Sequence, residues 1–95
     1  MTSPAETKKQ FRDWLRAQLQ ARGFYTPATD SYALSAFARF CSEQGEAIDE
    51  QAVYRYTRDD NTLPSPDRCR SLARALGIKP VEVLKVAGYI QESDF

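Results

Sequence analysis

The 95-residue chain contains no histidine. The side chain that most often serves as a general base near neutral pH, and most often ligates a metal, is therefore missing. Its two cysteines, Cys41 and Cys69, have 27 residues between them and form no CxxC pair. That spacing argues against a structural zinc site. Four glycines are scattered singly, so there is no glycine-rich phosphate loop and no nucleophile elbow. No apolar run approaches the ~18 residues needed to span a bilayer. Met1-Thr-Ser-Pro-Ala-Glu6 lacks the basic-then-apolar pattern of a signal peptide, and the expected location is cytoplasmic. Catalysis, a metal, a small-molecule cofactor and a membrane partner are all absent from the expectation.

Excess charge of either sign is also lacking, with 13 basic and 13 acidic side chains. A neutral total argues at first against a nucleic-acid partner. The charge is segregated, however. Residues 1–24 hold five basic and two acidic side chains, and residues 25–50 hold one and five. Residues 51–79 hold six and three, and residues 80–95 hold one and three. A basic face is compatible with these blocks if the two positive ones meet. With 42% hydrophobic and 27% charged residues, the composition is that of one small globular domain over residues 1–95.

The pattern predicts five helices. Ser3-Pro4-Ala5-Glu6 is a capping start, and Phe11, Trp14, Leu15 and Leu19 form one apolar stripe that Gly23 ends. Phe24 to Thr29, with Pro27, reads as a connector. Asp30 or Ser31 is expected to cap a second helix with Leu34, Phe37, Ala38 and Cys41 inward, ending near Gly45. Asp49 caps a third, over about 49–59, with Val53 and Tyr56 inward. Ser65-Pro66 restarts the chain, with Cys69, Leu72, Ala73 and Leu76 on the core side until Gly77. Lys79-Pro80 opens the fifth, where Val83, Leu84 and Ala87 complete the core. Both cysteines fall among apolar residues at helical spacing and read as reduced core residues. No segment alternates with period two, so the fold class is all-α.

Leu72-Ala-Arg-Ala-Leu-Gly77, followed by Ile78-Lys-Pro80 and the last helix, closely resembles the tail half of Cro/cI-type (XRE) helix-turn-helix domains. Ile48–Arg58 resembles their third helix: an acidic cap, short polar residues, an apolar residue, and an aromatic three positions later. Here Asp49, Glu50-Gln51-Ala52, Val53 and Tyr56 stand in those places. The resemblance covers about residues 8–90 in element order and is specific over 48–58 and 65–90. It implies a five-helix lambda-repressor-like fold and a sequence-specific regulator of transcription, repressor-like, that binds double-stranded DNA. A helix fits the major groove with its N-terminal side chains toward base edges. With Val53 and Tyr56 inward, Glu50, Gln51, Tyr54, Arg55 and Arg58 point outward. Gln51 can pair with adenine, arginine with guanine, and Glu50 with cytosine. Asn61 and Thr62 follow at a corner where the family touches the DNA backbone. Arg68, in the first turn of the fourth helix, can reach phosphate, as can Arg70, although both also read as solubilising charges. Lys8, Lys9, Arg12 and Arg16 read as the ordinary solvated face of the first helix.

Several features depart from the family. Cys41–Asp49 is longer than the usual corner of about three or four residues, and it carries Glu43, Glu46 and Asp49, with Glu50 next. The start of the second helix lacks the glutamine that often clamps phosphate, leaving Ser31, Tyr32 and Ser35 as substitutes. A negative patch beside the reading helix weakens phosphate-driven binding. The alternative function is a protein-interaction module, an antirepressor or adaptor, whose acidic segment meets a basic partner. A metal-dependent nuclease built on Asp59 and Asp60 is the poorest reading, because adjacent acids at a corner are not convergent ligands. A homodimer through the last helix and residues 89–95, or a monomer on an asymmetric site, both fit the chain.

Overall fold

In the computed structural model, which describes residues 3–90, seven short elements follow in order. They are α1 (Pro4–Ala21), β1 (Tyr25–Thr26), β2 (Ser31–Tyr32), α2 (Leu34–Glu43), α3 (Glu50–Thr57), α4 (Pro66–Leu76) and α5 (Pro80–Val86). Three helices begin on the side chains that their sequences suggest. Ser3 Oγ accepts the Glu6 N–H, Asp49 Oδ1 accepts the Ala52 N–H, and Ser65 Oγ accepts the Arg68 N–H. Each bond satisfies one of the amides that a helix start leaves without a partner. Gly77 ends α4 in the left-handed conformation, with φ 71°, which glycine adopts without the Cβ penalty of other residues.

The fold is mostly helical, but the connector after α1 is not plain loop. Tyr25 pairs with Tyr32 and Thr26 with Ser31 in an antiparallel hairpin. Two residues per strand are too few for alternation to register in a sequence. The hairpin also moves the start of α2. Asp30 sits in the turn at φ 48° and holds the Tyr25 hydroxyl, while Ser31 joins β2. Ala33 is the N-cap of α2 and offers no side-chain bond. The expected Asp30 or Ser31 cap is thus replaced.

One core holds the helices together. Phe11, Leu15 and Leu19 of α1, Phe37 and Cys41 of α2, Val53 of α3, Cys69 and Leu72 of α4, and Val83 of α5 are all fully buried. α3 packs against both α1 and α2, and α4 packs against α2 and α5. The Tyr56 ring meets Phe11 edge-on at 6.3 Å, an arrangement that suits aromatic quadrupoles. Leu84 lies half-buried at the margin. Among the described residues, no helix is long and apolar enough to cross a membrane.

Candidate nucleic-acid interface

α3 is short and strongly two-sided. Ala52, Val53, Tyr56 and Thr57 are buried, whereas Glu50, Gln51, Tyr54 and Arg55 are exposed. The helical period of 3.6 residues turns those four onto one outward surface. Tyr54 retains half of its accessible area, a large exposure for an aromatic ring. Among the described residues, no ion pair or hydrogen bond engages the Arg55 guanidinium. Its charge is available to an outside acceptor.

The helix stops at Thr57, two residues before the sequence suggests. Arg58 is its C-cap, with extended backbone at φ −76° and ψ 164°. Two features close the helix here. The buried Thr57 hydroxyl bonds back to Val53 O at 3.0 Å, and the Arg16 guanidinium donates to Thr57 O at 2.8 Å. Arg58 then lies over the Tyr54 ring at 5.3 Å and forms a two-pronged pair with Asp60, with N–O distances of 2.5 and 3.0 Å. That pair holds the Asp60 carboxyl below, and the Arg58 guanidinium above, their ordinary ranges. Arg58 is exposed but already partnered, so it meets phosphate less freely than Arg55.

The corner after α3 divides the remaining candidates. Thr62 is exposed, and its N–H donates to Arg55 O at 3.1 Å, folding the corner onto the helix. Asn61 faces the protein, where a solvent-facing side chain was expected. It is buried at 3% exposure and donates Nδ2 to Lys8 O at 2.9 Å, so its amide ties α1 to the corner instead of facing solvent. Arg68 is exposed and donates to Ala47 O at 2.5 Å, stapling α4 to the segment before α3. Arg70 pairs with Asp67 at 2.9 Å.

Arg12 and Arg16 also depart from the solvated-face reading. Arg12 donates to Asp59 O at 3.3 Å, and both arginines meet the Asp59 carboxylate, at 3.5 and 3.3 Å. They hold the end of α3 from a helix more than forty residues away in sequence. Asp59 and Asp60 are accordingly both ion-paired with arginine. Among the described residues, no three His, Cys, Asp or Glu side chains converge as metal ligands.

Six residues, 44–49, join α2 to α3, so this connection is longer than a compact helix-turn-helix corner. Gly45 turns the chain at φ 83°, and Glu46 and Ile48 point back into the protein. Glu46 meets Arg74 of α4 at 2.8 Å, and this guanidinium holds its carboxyl below the usual range. With Asp49 capping α3, two of the four acids have structural partners, and among the described residues Glu43 and Glu50 have none. Nothing in the sequence marks Glu46 and Arg74 as partners, since 28 residues separate them. At the start of α2, Ser31 bonds Thr29 and Tyr32 OH accepts from Gln20. Ser35 alone stands exposed on the first turn.

No family model, curated protein or solved structure matches this chain.

Proposed function

We propose that the protein is a sequence-specific double-stranded DNA-binding regulator of transcription that places α3 in the major groove, on a lambda-repressor-like arrangement of five helices. The observation that carries this reading is the outward face of α3. Four consecutive-turn side chains, Glu50, Gln51, Tyr54 and Arg55, are exposed together while the opposite face anchors in the core. Gln51 and Arg55 supply the two bidentate chemistries for adenine and guanine, and Glu50 can accept from cytosine N4. Tyr54 offers an apolar edge and a hydroxyl. Arg58 and Thr62 flank the face where a backbone would pass, and Arg68 lies nearby on the first turn of α4.

The structural partnership of Glu46 bears on the main objection to this reading. Among the described residues, Arg74 offsets the charge of Glu46 alone, so the acidic turn presents three uncompensated carboxylates beside α3 rather than four, which lessens the repulsion of phosphate. Gln51→Ala and Arg55→Ala are each expected to weaken cognate binding by about 1–3 kcal/mol and to relax preference at separate base positions. Equal affinity and unchanged preference in both variants would falsify the groove assignment.

A protein-interaction module remains the second reading. It draws on an open recess of about 440 Å³ along α2 and the turn, lined in part by Arg39, Glu46, Asp49 and Glu50. Binding of a basic protein that is lost on Glu43→Gln/Glu50→Gln, with no duplex affinity at low salt, would favour it.

A further inference from the structure

We infer that Lys8 and Lys9, on the first turns of α1, form a second phosphate-binding site that grips the DNA backbone beyond the C-terminal end of α3. The inference rests on the groove-reading role of α3 and adds to it a contact from a helix that the outward face does not include.

The two basic blocks of the chain meet at this place. Asn61 Nδ2 to Lys8 O, and the arginine bonds from α1 to Thr57 and Asp59, bring the start of α1 against the corner after α3. There, Lys8 and Lys9 line an open recess of about 250 Å³ with Ala5, Asp59, Asp60 and Asn61. The two aspartates would oppose an anion if they were free, but each is ion-paired. Asp59 meets Arg12 and Arg16, and Asp60 meets Arg58. Arg12 also meets Asp13 at 3.1 Å. With Glu6 on the first turn of α1 included, five cations therefore stand against four carboxylates. Among the described residues, neither lysine ammonium is hydrogen-bonded or ion-paired. The excess charge resides on the two lysines, both exposed.

Position follows from contacts already described. Tyr54 touches Arg58, Arg58 holds Asp60, and Asp60 lines the recess. The site therefore continues the outward face of α3 without a break. α3 is about 12 Å long. With its N-terminal side chains at base edges, its C-terminal end is directed toward the phosphates at the groove edge, where two long, flexible lysines extend its reach.

The test uses the full chain and a random-sequence duplex, with affinity measured as a function of salt. Each lost phosphate contact lowers the slope of log K against log salt by about 0.9. Lys8→Gln/Lys9→Gln is expected to reduce the slope by nearly two. Its affinity then falls about tenfold less than wild type between roughly 50 and 200 mM salt. Base preference should stay unchanged, and Lys8→Arg/Lys9→Arg should keep the wild-type slope. Lys79→Gln is the control. Arg22 binds Leu76 O at 2.9 Å, which puts the corner carrying Lys79 at the opposite end of α1. An unchanged slope in the glutamine variant, an equal loss in Lys79→Gln, or loss of slope in the arginine variant overturns the lysine site and leaves the α3 reading standing. Wild-type protein that fails to bind duplex at low salt overturns both.

Discussion

Replacing Arg16 with methionine removes the guanidinium while keeping an apolar stem of similar length. Two interactions disappear, and they differ in weight. The bond to Thr57 O, at 2.8 Å, is charge-assisted and caps a buried helix end. Such a bond contributes about 1.5–3 kcal/mol. The ion pair with Asp59 involves a carboxylate that is 90% exposed, and surface pairs of that kind contribute roughly 0–1 kcal/mol. Arg12 also continues to meet Asp59. The backbone cap dominates, so Arg16→Met should cost about 2 kcal/mol. For a domain of this size, that lowers Tm by about 8–16 °C. Asp59→Asn, which removes the ion pairs and leaves the cap, should cost under ~1 kcal/mol. Thermal and urea unfolding followed by circular dichroism measure both. Hydrogen exchange at the Arg58 amide, bonded to Tyr54 O at 3.1 Å, should quicken in Arg16→Met. If Asp59→Asn proves as damaging as Arg16→Met, the carboxylate rather than the carbonyl is the partner that matters, and the reasoning fails.

Glycine substitutions should separate backbone strain from steric conflict. Gly77→Ala meets no atom within 4 Å and carries only the left-handed penalty, about 1–2 kcal/mol. Gly88→Ala has a similar φ but places Cβ 2.8 Å from Thr7 Cγ2, so it should unfold at lower urea than Gly77→Ala. The two thiols should resist alkylation in the native protein at about pH 8 and react readily once it is unfolded. Burial removes access and pushes both up to about 11; rapid labelling seen by mass spectrometry in the native state would contradict this. Glu46 supplies an acid-side pH dependence. Arg74 lowers its folded pKa, so its stabilisation is present above the unfolded value and is lost as pH falls through the folded one. The stability gap between wild type and Glu46→Gln should therefore shrink in acid, and a gap independent of pH would remove the ion pair as its cause.

Local chemistry made much of this architecture readable from sequence. Ser3, Asp49 and Ser65 cap as their spacing suggests, because a cap and its amide lie three residues apart. Gly77 stops α4 for an equally local reason. Val53 and Tyr56 turn inward because helical periodicity fixes their direction once Asp49 sets the start. What was illegible is what depends on distant partners. Arg12 and Arg16 look like solvated charges until α3 ends beside them. Asn61 looks like a corner polar residue until Lys8 O accepts its amide. Glu46 looks like one more acid in a negative turn until Arg74 arrives from α4. The hairpin is illegible in the sequence for another reason: its strands are shorter than any period, and Asp30 serves its turn instead of capping α2.

The DNA-reading face of α3 is tested most directly by fluorescence anisotropy against a random duplex pool, at about 50 and 200 mM salt, with selection and sequencing of the bound fraction. Steep salt dependence together with one enriched motif is the predicted result, and the motif length distinguishes a monomer from a dimer on two half-sites. No binding at the lower salt, or binding with no enriched motif, would contradict it.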